Sequence, residues 1–203
     1  MFEAIKRNWY KSRIKDSSFA FLLDEPKYDE FVAFDCETTG LDIKKAEIIS
    51  IGAVKIIGNR IITSDKLDIF VKPLQDMSAE NIKVHHIRNC DLTNAIGVED
   101  AIRKFTEFIG TRTLVGYYLE FDIAMIDQYL SKMAGIKLQN PQVEVSALYF
   151  DKKNDPFGSK NVDLRFDSIA KDLGIPLFSQ HNSYYDALMT ALIFLKLKKT
   201  NII

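Results

Sequence analysis

The sequence predicts an α/β domain in which helices flank a mixed five-stranded sheet. Short apolar runs rich in β-branched and aromatic residues alternate with longer stretches whose apolar residues recur at helical spacing. The first three predicted strands follow one another with no long helix between them, which indicates an antiparallel meander. Two later strands are each reached through a helix, which indicates parallel crossover connections. The expected order is therefore β-β-β-α-β-α-β-α-α.

Turn residues separate the first three predicted strands. Residues 31–34 form a short apolar run, and residues 47–57 are rich in Ile and Val. The dipeptide Gly58-Asn59 is typical of a two-residue hairpin turn, because Gly readily adopts a positive φ. The return strand spans residues 60–71 and ends before Pro73, which has no N–H to donate to a sheet.

Helices and two further strands are predicted in the rest of the chain. Apolar residues at helical spacing, Gly at helix ends and Lys in the final turn delimit the helices. The expected elements are a short helix around residues 78–87, a helix at 98–109, a strand at 113–118, a helix ending at Gly135, a strand at 143–145, a helix at 163–173 and a last helix starting near Ser183.

The N-terminal segment differs in composition from the rest of the chain. Residues 1–28 are basic and polar, with apolar residues loosely at helical spacing, which predicts a short helix docked on the main domain. Its basic face could contact nucleic acid or a partner, or it could simply be solvated. Residues 29–203 are expected to form the main domain.

Overall composition is that of an ordinary globular protein. The chain has 203 residues, of which 47% are apolar and 27% charged, and its formal net charge is −1. Such a charge gives no general attraction to polyanions, so nucleic-acid binding would need local basic patches or a metal. Two cysteines are too few for a disulfide framework. No signal peptide or membrane-spanning apolar stretch is visible, so we expect a cytoplasmic protein without a membrane partner.

Two carboxylates, Asp35 and Glu37, follow the first apolar run and lie one residue apart. Residues i and i+2 of a strand share a face, so both side chains are expected to point the same way. Like charges held together at the edge of a core repel each other and are costly to desolvate. A bound cation would offset that cost, and oxygen ligands favour Mg²⁺ or Mn²⁺.

Two more acidic residues fall at positions typical of sites in α/β folds. Asp122 lies where a predicted parallel strand ends and a helix begins. Asp186 lies in the first turn of the last predicted helix, with His181 in the loop before it. Taken alone, Asp122 would be no more than an acid that favours the helix dipole.

In combination, these motifs resemble those of the DEDDh, or DnaQ-like, exonuclease family, which includes the proofreading subunit of bacterial DNA polymerase III. The matching motifs are Asp-Cys-Glu-Thr-Thr-Gly-Leu at 35–41, Phe-Asp at 121–122 and His-x₄-Asp-Ala at 181–187. The resemblance covers roughly residues 29–197. It implies an RNase H-like fold and a metal-dependent 3′→5′ exonuclease that releases nucleoside monophosphates from DNA or RNA.

The resemblance also implies roles for individual residues. Two divalent cations, Mg²⁺ or Mn²⁺, would be held by Asp35, Glu37, Asp122 and Asp186, and His181 would act as the general base. The implied substrate-binding residues are Glu37, Thr38, Thr39, Gly40, Leu41, Val84, His85 and Phe121. The expected partner is a nucleic acid with a free 3′ end, in single-stranded form, and a DNA polymerase is a second expected partner.

The chain departs from the family pattern at two positions near these motifs. Tyr118 stands where the family usually has Asn, and Glu144 stands where many relatives have Asp on the fifth strand. Neither change removes a cation ligand. The alternatives left open are a non-catalytic nucleic-acid-binding or polymerase-associated module and an RNA-trimming exoribonuclease. An aspartyl-phosphate phosphatase is disfavoured, because its second acid would be Asp and it would have no use for the His181 motif.

Overall fold

The computed structural model describes residues 7, 9–74, 82, 87–153, 161–178 and 182–199, apart from the side chains of Tyr28 and Asn89. Within these ranges, five strands form one mixed sheet in the order β3-β2-β1-β4-β5. The strands are β1 Lys27–Thr38, β2 Ile48–Ile57, β3 Arg60–Phe70, β4 Arg112–Gly116 and β5 Gln142–Glu144. The first three pair antiparallel, while β4 pairs parallel with both β1 and β5. The predicted mixed five-stranded sheet is thereby confirmed.

Five α-helices whose bounds lie within the described ranges accompany the sheet. They are α1 Val98–Ile109, α2 Leu119–Ala134, α3 Val145–Lys153, α4 Phe166–Asp172 and α5 Ser183–Lys199. Short 3-10 helices occur at Ser17–Leu23 and Asn89–Leu92. The short helix expected around residues 78–87 falls mostly outside the described residues.

The structure differs most clearly from the sequence-based expectation at β1, α3 and α4. β1 extends well beyond residues 31–34 and includes the acid pair, because pairing with β2 continues to Thr38. The helix α3 was not predicted: it begins at Val145 directly after β5, with no turn residue between the two elements. The helix α4 begins at Phe166 rather than at Asp163, and the Asp163 carboxylate accepts hydrogen bonds from Arg165 and Ser168.

The core is divided between the two faces of the sheet. Alternate residues of a strand point to opposite faces, and β1 follows this rule. Val32 and Phe34 pack in a cluster with residues of α1 and α2, whereas Ala33 packs in a cluster with residues of α3, α4 and α5. Asp35 and Glu37 continue the face of Ala33, so the end of β1 directs both carboxylates toward the layer that contains α5.

The N-terminal segment contributes to the same core. The side chains of Phe19, Leu22 and Leu23 are buried in the cluster that includes α1 and α2. The Lys15 amide donates a hydrogen bond to the Ala134 carbonyl at 2.9 Å, and Arg103 pairs with Asp16 at 2.8 Å. None of the described helices combines the length and the apolar character needed to cross a bilayer.

Candidate active site

Four acidic residues reach one cavity from three elements of the fold. Asp35 and Glu37 lie near the carboxyl end of β1. In the strand register they are opposite Gly52 and Ser50 of β2, respectively. Asp122 lies in the first turn of α2, which follows β4. Asp186 lies in the first turn of α5. Because β1 and β4 are parallel neighbours, their carboxyl ends open at the same edge of the sheet.

The carboxylates of Asp35, Glu37 and Asp186 converge on one point. One oxygen from each residue lies within 4.8 Å of the others, which is the arrangement of a group that could hold a metal ion. Asp122 is buried beside them, and its Oδ1 accepts a hydrogen bond from the Cys36 amide at 3.1 Å. The structure therefore brings together the four acids that the sequence motifs indicated, with Asp122 held against the backbone between Asp35 and Glu37.

Electrostatics at this cluster are unfavourable in the absence of a cation. Burial, followed by the charges of Asp122, Glu37 and Asp186, raises the pKa of Asp35 well above its usual value. Burial and the nearby Asp186 raise the pKa of Glu37 to about 7. Burial likewise raises the pKa of Asp122, although the hydrogen bond from Cys36 acts in the opposite direction.

These shifts and the donor chemistry together test whether a cation would fit. The converging donors are all carboxylate oxygens, which suit hard divalent ions rather than soft ones. A cation would relieve the repulsion that raises these pKa values. The residues present therefore fit a divalent cation.

The acids lie in a cavity of about 640 Å³ with an apolar wall. Leu41 and Phe121, both expected to contact substrate, line this cavity together with Tyr118 and Phe166. Leu41 is highly exposed, with 83% of its surface accessible, so its side chain projects into open space. An apolar wall next to an acidic cluster suits a ligand that combines a flat apolar group with a charged one.

The loop after β1 is held by its own hydrogen bonds. The Thr38 hydroxyl donates to the Gly40 carbonyl at 2.8 Å, and the Thr39 amide donates to the Glu47 carbonyl at 2.9 Å. The Thr39 hydroxyl accepts from the Glu47 amide at 2.9 Å. These three loop residues, expected to contact substrate, are not among those that line the cavity; they fix the loop that carries Leu41.

Three expected site residues fall outside the described part of the chain. These are His181, Val84 and His85. Their roles stay predictions from the family resemblance.

Arg165 is a cavity residue that the sequence analysis missed. Among the described residues that line the cavity, it is the one Lys or Arg. Its guanidinium donates to both carboxylate oxygens of Asp163, the shortest of these contacts being 2.6 Å. The sequence signal is weak: Asp-x-Arg before a helix is a common local pairing, and nothing in it indicates proximity to β1.

The two departures from the family pattern are structurally linked. Tyr118 precedes α2 in the left-handed backbone region, at φ 56° and ψ 34°, and its side chain does not cap the helix. Such a conformation costs an L-residue about 1–2 kcal/mol. Glu144 provides the missing cap, because its carboxylate accepts a hydrogen bond from the Leu119 amide at 2.9 Å and others from Ser146. Glu144 thus stabilises the start of the helix that carries Asp122.

Comparisons with known proteins identify the family. The family model RNase_T, described as exonuclease, matches residues 32–194. The chain is 32% identical over 167 residues to the DNA polymerase III subunit epsilon of Aquifex aeolicus, which covers 82% of this chain and 79% of that protein. It is 34% identical over 183 residues to the PolC-type DNA polymerase III of Bacillus subtilis, covering 88% of this chain but only 12% of that much longer protein.

Solved structures of exonucleases share the fold. A structure of exonuclease X in complex with 5′ overhanging duplex DNA matches with a TM-score of 0.65 and 18% identity, covering 84% of this chain and 92% of that chain. A structure of E. coli exonuclease I in complex with a dA16 oligonucleotide matches with a TM-score of 0.71 and 15% identity, covering 86% and 41% of the two chains. The fold is RNase H-like, and on the family match the chain belongs to the RNase_T family of exonucleases, as an enzyme of the 3′→5′ type.

Proposed function

We propose that this 3′→5′ exonuclease hydrolyses the terminal phosphodiester bonds of single-stranded DNA with the help of two divalent cations, Mg²⁺ or Mn²⁺. The observation that carries the proposal is the convergence of the carboxylates of Asp35, Glu37 and Asp186 beside the buried Asp122. We propose DNA rather than RNA as the substrate because the curated relatives described above are named as DNA polymerase III proteins. The exonuclease structures that contain DNA support the same choice.

The four acids would hold the cations. When bound, two divalent cations neutralise charge on the attacking and leaving oxygens of the phosphodiester. Four carboxylates carry enough negative charge to balance two such ions. Asp35 would hold the cations together with the other three acids, whose charges all act on it. Cys36 would keep Asp122 oriented through its backbone N–H.

His181 is proposed as the general base. An imidazole has an unperturbed pKa near 6.5, so it can accept a proton from the attacking water near neutral pH. This role rests on the family motif, in which His181 precedes Asp186 by five residues. Replacing His181 with Ala should lower kcat by a factor on the order of 10²–10⁴. An unchanged kcat would remove His181 from this role.

The cavity would hold the 3′-terminal nucleotide. Its volume of about 640 Å³ lies within the range of roughly 300–1,000 Å³ typical of small-ligand sites. Leu41 and Phe121 would contact the terminal base, while Glu37 would accept a hydrogen bond from the 3′-hydroxyl. Thr38, Thr39 and Gly40 would shape the loop, and Val84 and His85 would complete the nucleotide site by the family match.

A DNA oligonucleotide carrying a 5′ label tests the proposal directly. Purified protein with Mg²⁺ or Mn²⁺ should shorten the labelled strand from its 3′ end and release nucleoside monophosphates, and chelation of the metal should stop the reaction. Asp186→Asn, which keeps the side-chain size and removes the charge, should be inactive. If no metal supports degradation of single-stranded DNA while a matched RNA is shortened, the DNA assignment is wrong; if neither strand is shortened, the enzymatic mechanism is wrong.

A DNA polymerase is the proposed protein partner, and the cytoplasm the proposed location. Both proposals rest on the curated relatives. One is a polymerase subunit, and the other is a PolC-type polymerase in which the matching segment makes up 12% of the length. Size-exclusion chromatography of the chain mixed with the replicative polymerase subunit from the same organism should show co-elution. Separate elution at micromolar concentration would contradict the partner.

A further inference from the structure

Tyr118 occupies a backbone conformation that its side chain does nothing to favour. It is the one non-glycine residue with a positive φ in the described part of the chain. Asn and Asp tolerate this region because their short polar side chains bond locally, but a tyrosine ring cannot. Its side chain makes no capping bond to α2, and Glu144 binds the Leu119 amide instead. The backbone conformation therefore gives no reason for an aromatic residue here, and such local violations concentrate at functional sites.

The Tyr118 ring stands between two cavities. It is 69% exposed and lines both the catalytic cavity and a second cavity of about 380 Å³, and the two cavities share Tyr117 and Tyr118. Its plane lies 18° from that of Phe121, with the ring centroids 6.3 Å apart. An exposed ring at this position presents a flat face at the boundary between the two cavities.

We propose that Tyr118 stacks on the base that precedes the 3′-terminal nucleotide, and that it thereby selects single-stranded 3′ ends. The inference rests on the proposed function above. The terminal base would lie in the catalytic cavity and the preceding nucleotide on the other side of the Tyr118 ring, in the second cavity. Stacking is tolerant of sequence because every base has a π-face. In a duplex, the faces of a base are covered by the neighbouring base pairs. Unpaired ends would therefore bind better.

Three variants and two substrates test the inference. Tyr118→Asn should raise KM for a single-stranded oligonucleotide about tenfold, a loss within the range measured for one base stack. Tyr118→Phe keeps the ring and should retain the wild-type KM. Phe150→Asn is the matched control, since Phe150 is an exposed aromatic residue that lines neither cavity. On thymidine 5′-p-nitrophenyl phosphate, which has no preceding base, Tyr118→Asn should change KM less than twofold.

A binding measurement makes the outcome independent of turnover. An oligonucleotide with 2-aminopurine at the penultimate position should lose fluorescence on binding to the wild-type protein with Ca²⁺, and should lose much less on binding to Tyr118→Asn. Equal quenching by the two proteins, or equal KM values on the oligonucleotide, would overturn the inference. Inactivity of the wild-type protein would instead contradict the proposed function, so the two failures are distinguishable.

Discussion

Gly52 of β2 lies directly against the backbone of Tyr184 at the start of α5: a Cβ atom on Gly52 would come within 2.1 Å of the Tyr184 amide nitrogen. Beside this contact, the buried hydroxyls of Ser50 and Ser183 hydrogen-bond to each other. Gly52 is also the register partner of Asp35. The close approach therefore sets the distance between the end of β1 and the turn of α5 that carries Asp186.

Replacing Gly52 with Ala should weaken cation binding as well as stability. The added methyl group would meet backbone atoms that cannot rotate away, so α5 must shift and take Asp186 with it. Overpacking of this kind costs about 1–3 kcal/mol in the free energy of unfolding. Urea unfolding would measure that loss, and the dependence of kcat on Mn²⁺ concentration would measure the weaker cation binding.

Gly97→Ala is the matched control for this experiment. Gly97 has φ −62°, which alanine adopts readily, and an added Cβ there meets nothing within 4 Å. Its cation dependence should match that of the wild-type protein. A Gly52→Ala protein that lost stability but kept the wild-type cation dependence would show that Gly52 serves folding alone.

Asp35→Asn should separate stability from activity. The charge on Asp35 is disfavoured by burial and by three neighbouring carboxylates, so its removal should raise the melting temperature of the metal-free protein. Each kcal/mol relieved corresponds to about 2–4 °C for a chain of this size. The same change removes a cation ligand, so Mg²⁺ should no longer raise the melting temperature and exonuclease activity should be lost.

Differential scanning fluorimetry with and without Mg²⁺ measures both effects of Asp35→Asn. Asp151→Asn serves as the control, because Asp151 is an exposed acid on α3 and does not line the cavity. A melting temperature that falls in metal-free Asp35→Asn would contradict the electrostatic account of the cluster.

Asp127 provides a pH-dependent test away from the cation site. Burial raises its pKa from 3.8 to about 6, against the opposing effect of the hydrogen bond from the Leu138 amide. Because the folded-state pKa is raised, the resulting contribution to stability is complete below about pH 3.8 and is lost as the pH rises through 6. Asp127→Asn keeps an oxygen that can accept the Leu138 N–H and carries no charge at any pH.

The stability gained by Asp127→Asn should therefore grow between pH 4 and pH 8. Because Asp127 is partly solvated, we expect the difference to be on the order of 1 kcal/mol after allowance for screening. Urea unfolding of both proteins at the two pH values gives the result, with the exposed Asp29→Asn as the control for charge removal. A gain that stayed constant with pH would show that the Asp127 carboxyl has an ordinary pKa.

Local motifs allowed the acids to be predicted, and contacts between distant segments explain what was missed. Asp35 and Glu37 share a face by strand periodicity, and Asp122 and Asp186 lie in the first turns of helices. The position of each acid can therefore be predicted from the few residues around it. The role of Gly52 cannot be predicted in this way, because it depends on contact with α5. The neighbouring Ser50–Ser183 hydrogen bond joins residues 133 positions apart in the sequence.

The helix α3 was missed for a different reason. No turn residue separates it from β5, and its buried side chains, Val145 and Tyr149, are too few to form a recognisable apolar stripe. The left-handed conformation of Tyr118 was equally invisible, because a tyrosine gives no signal for it. Tyr118 lines the catalytic cavity, and functional sites are where local sequence rules are most often broken.

Arg165→Gln should weaken substrate binding in a salt-dependent manner. Arg165 brings a positive charge to an otherwise acidic cavity, and its pair with Asp163 is solvent-exposed, with 82% of the arginine side chain accessible. Exposed pairs contribute little, so the guanidinium can exchange Asp163 for a substrate phosphate. Loss of one phosphate contact should reduce the slope of log(kcat/KM) against log[salt] by about 0.7 for a single strand.

Lys104→Gln, which removes the same charge from the exposed face of α1, should leave the slope unchanged. If both variants show the wild-type slope, Arg165 does not contact the substrate backbone, and the positive charge that attracts the strand must come from another part of the chain.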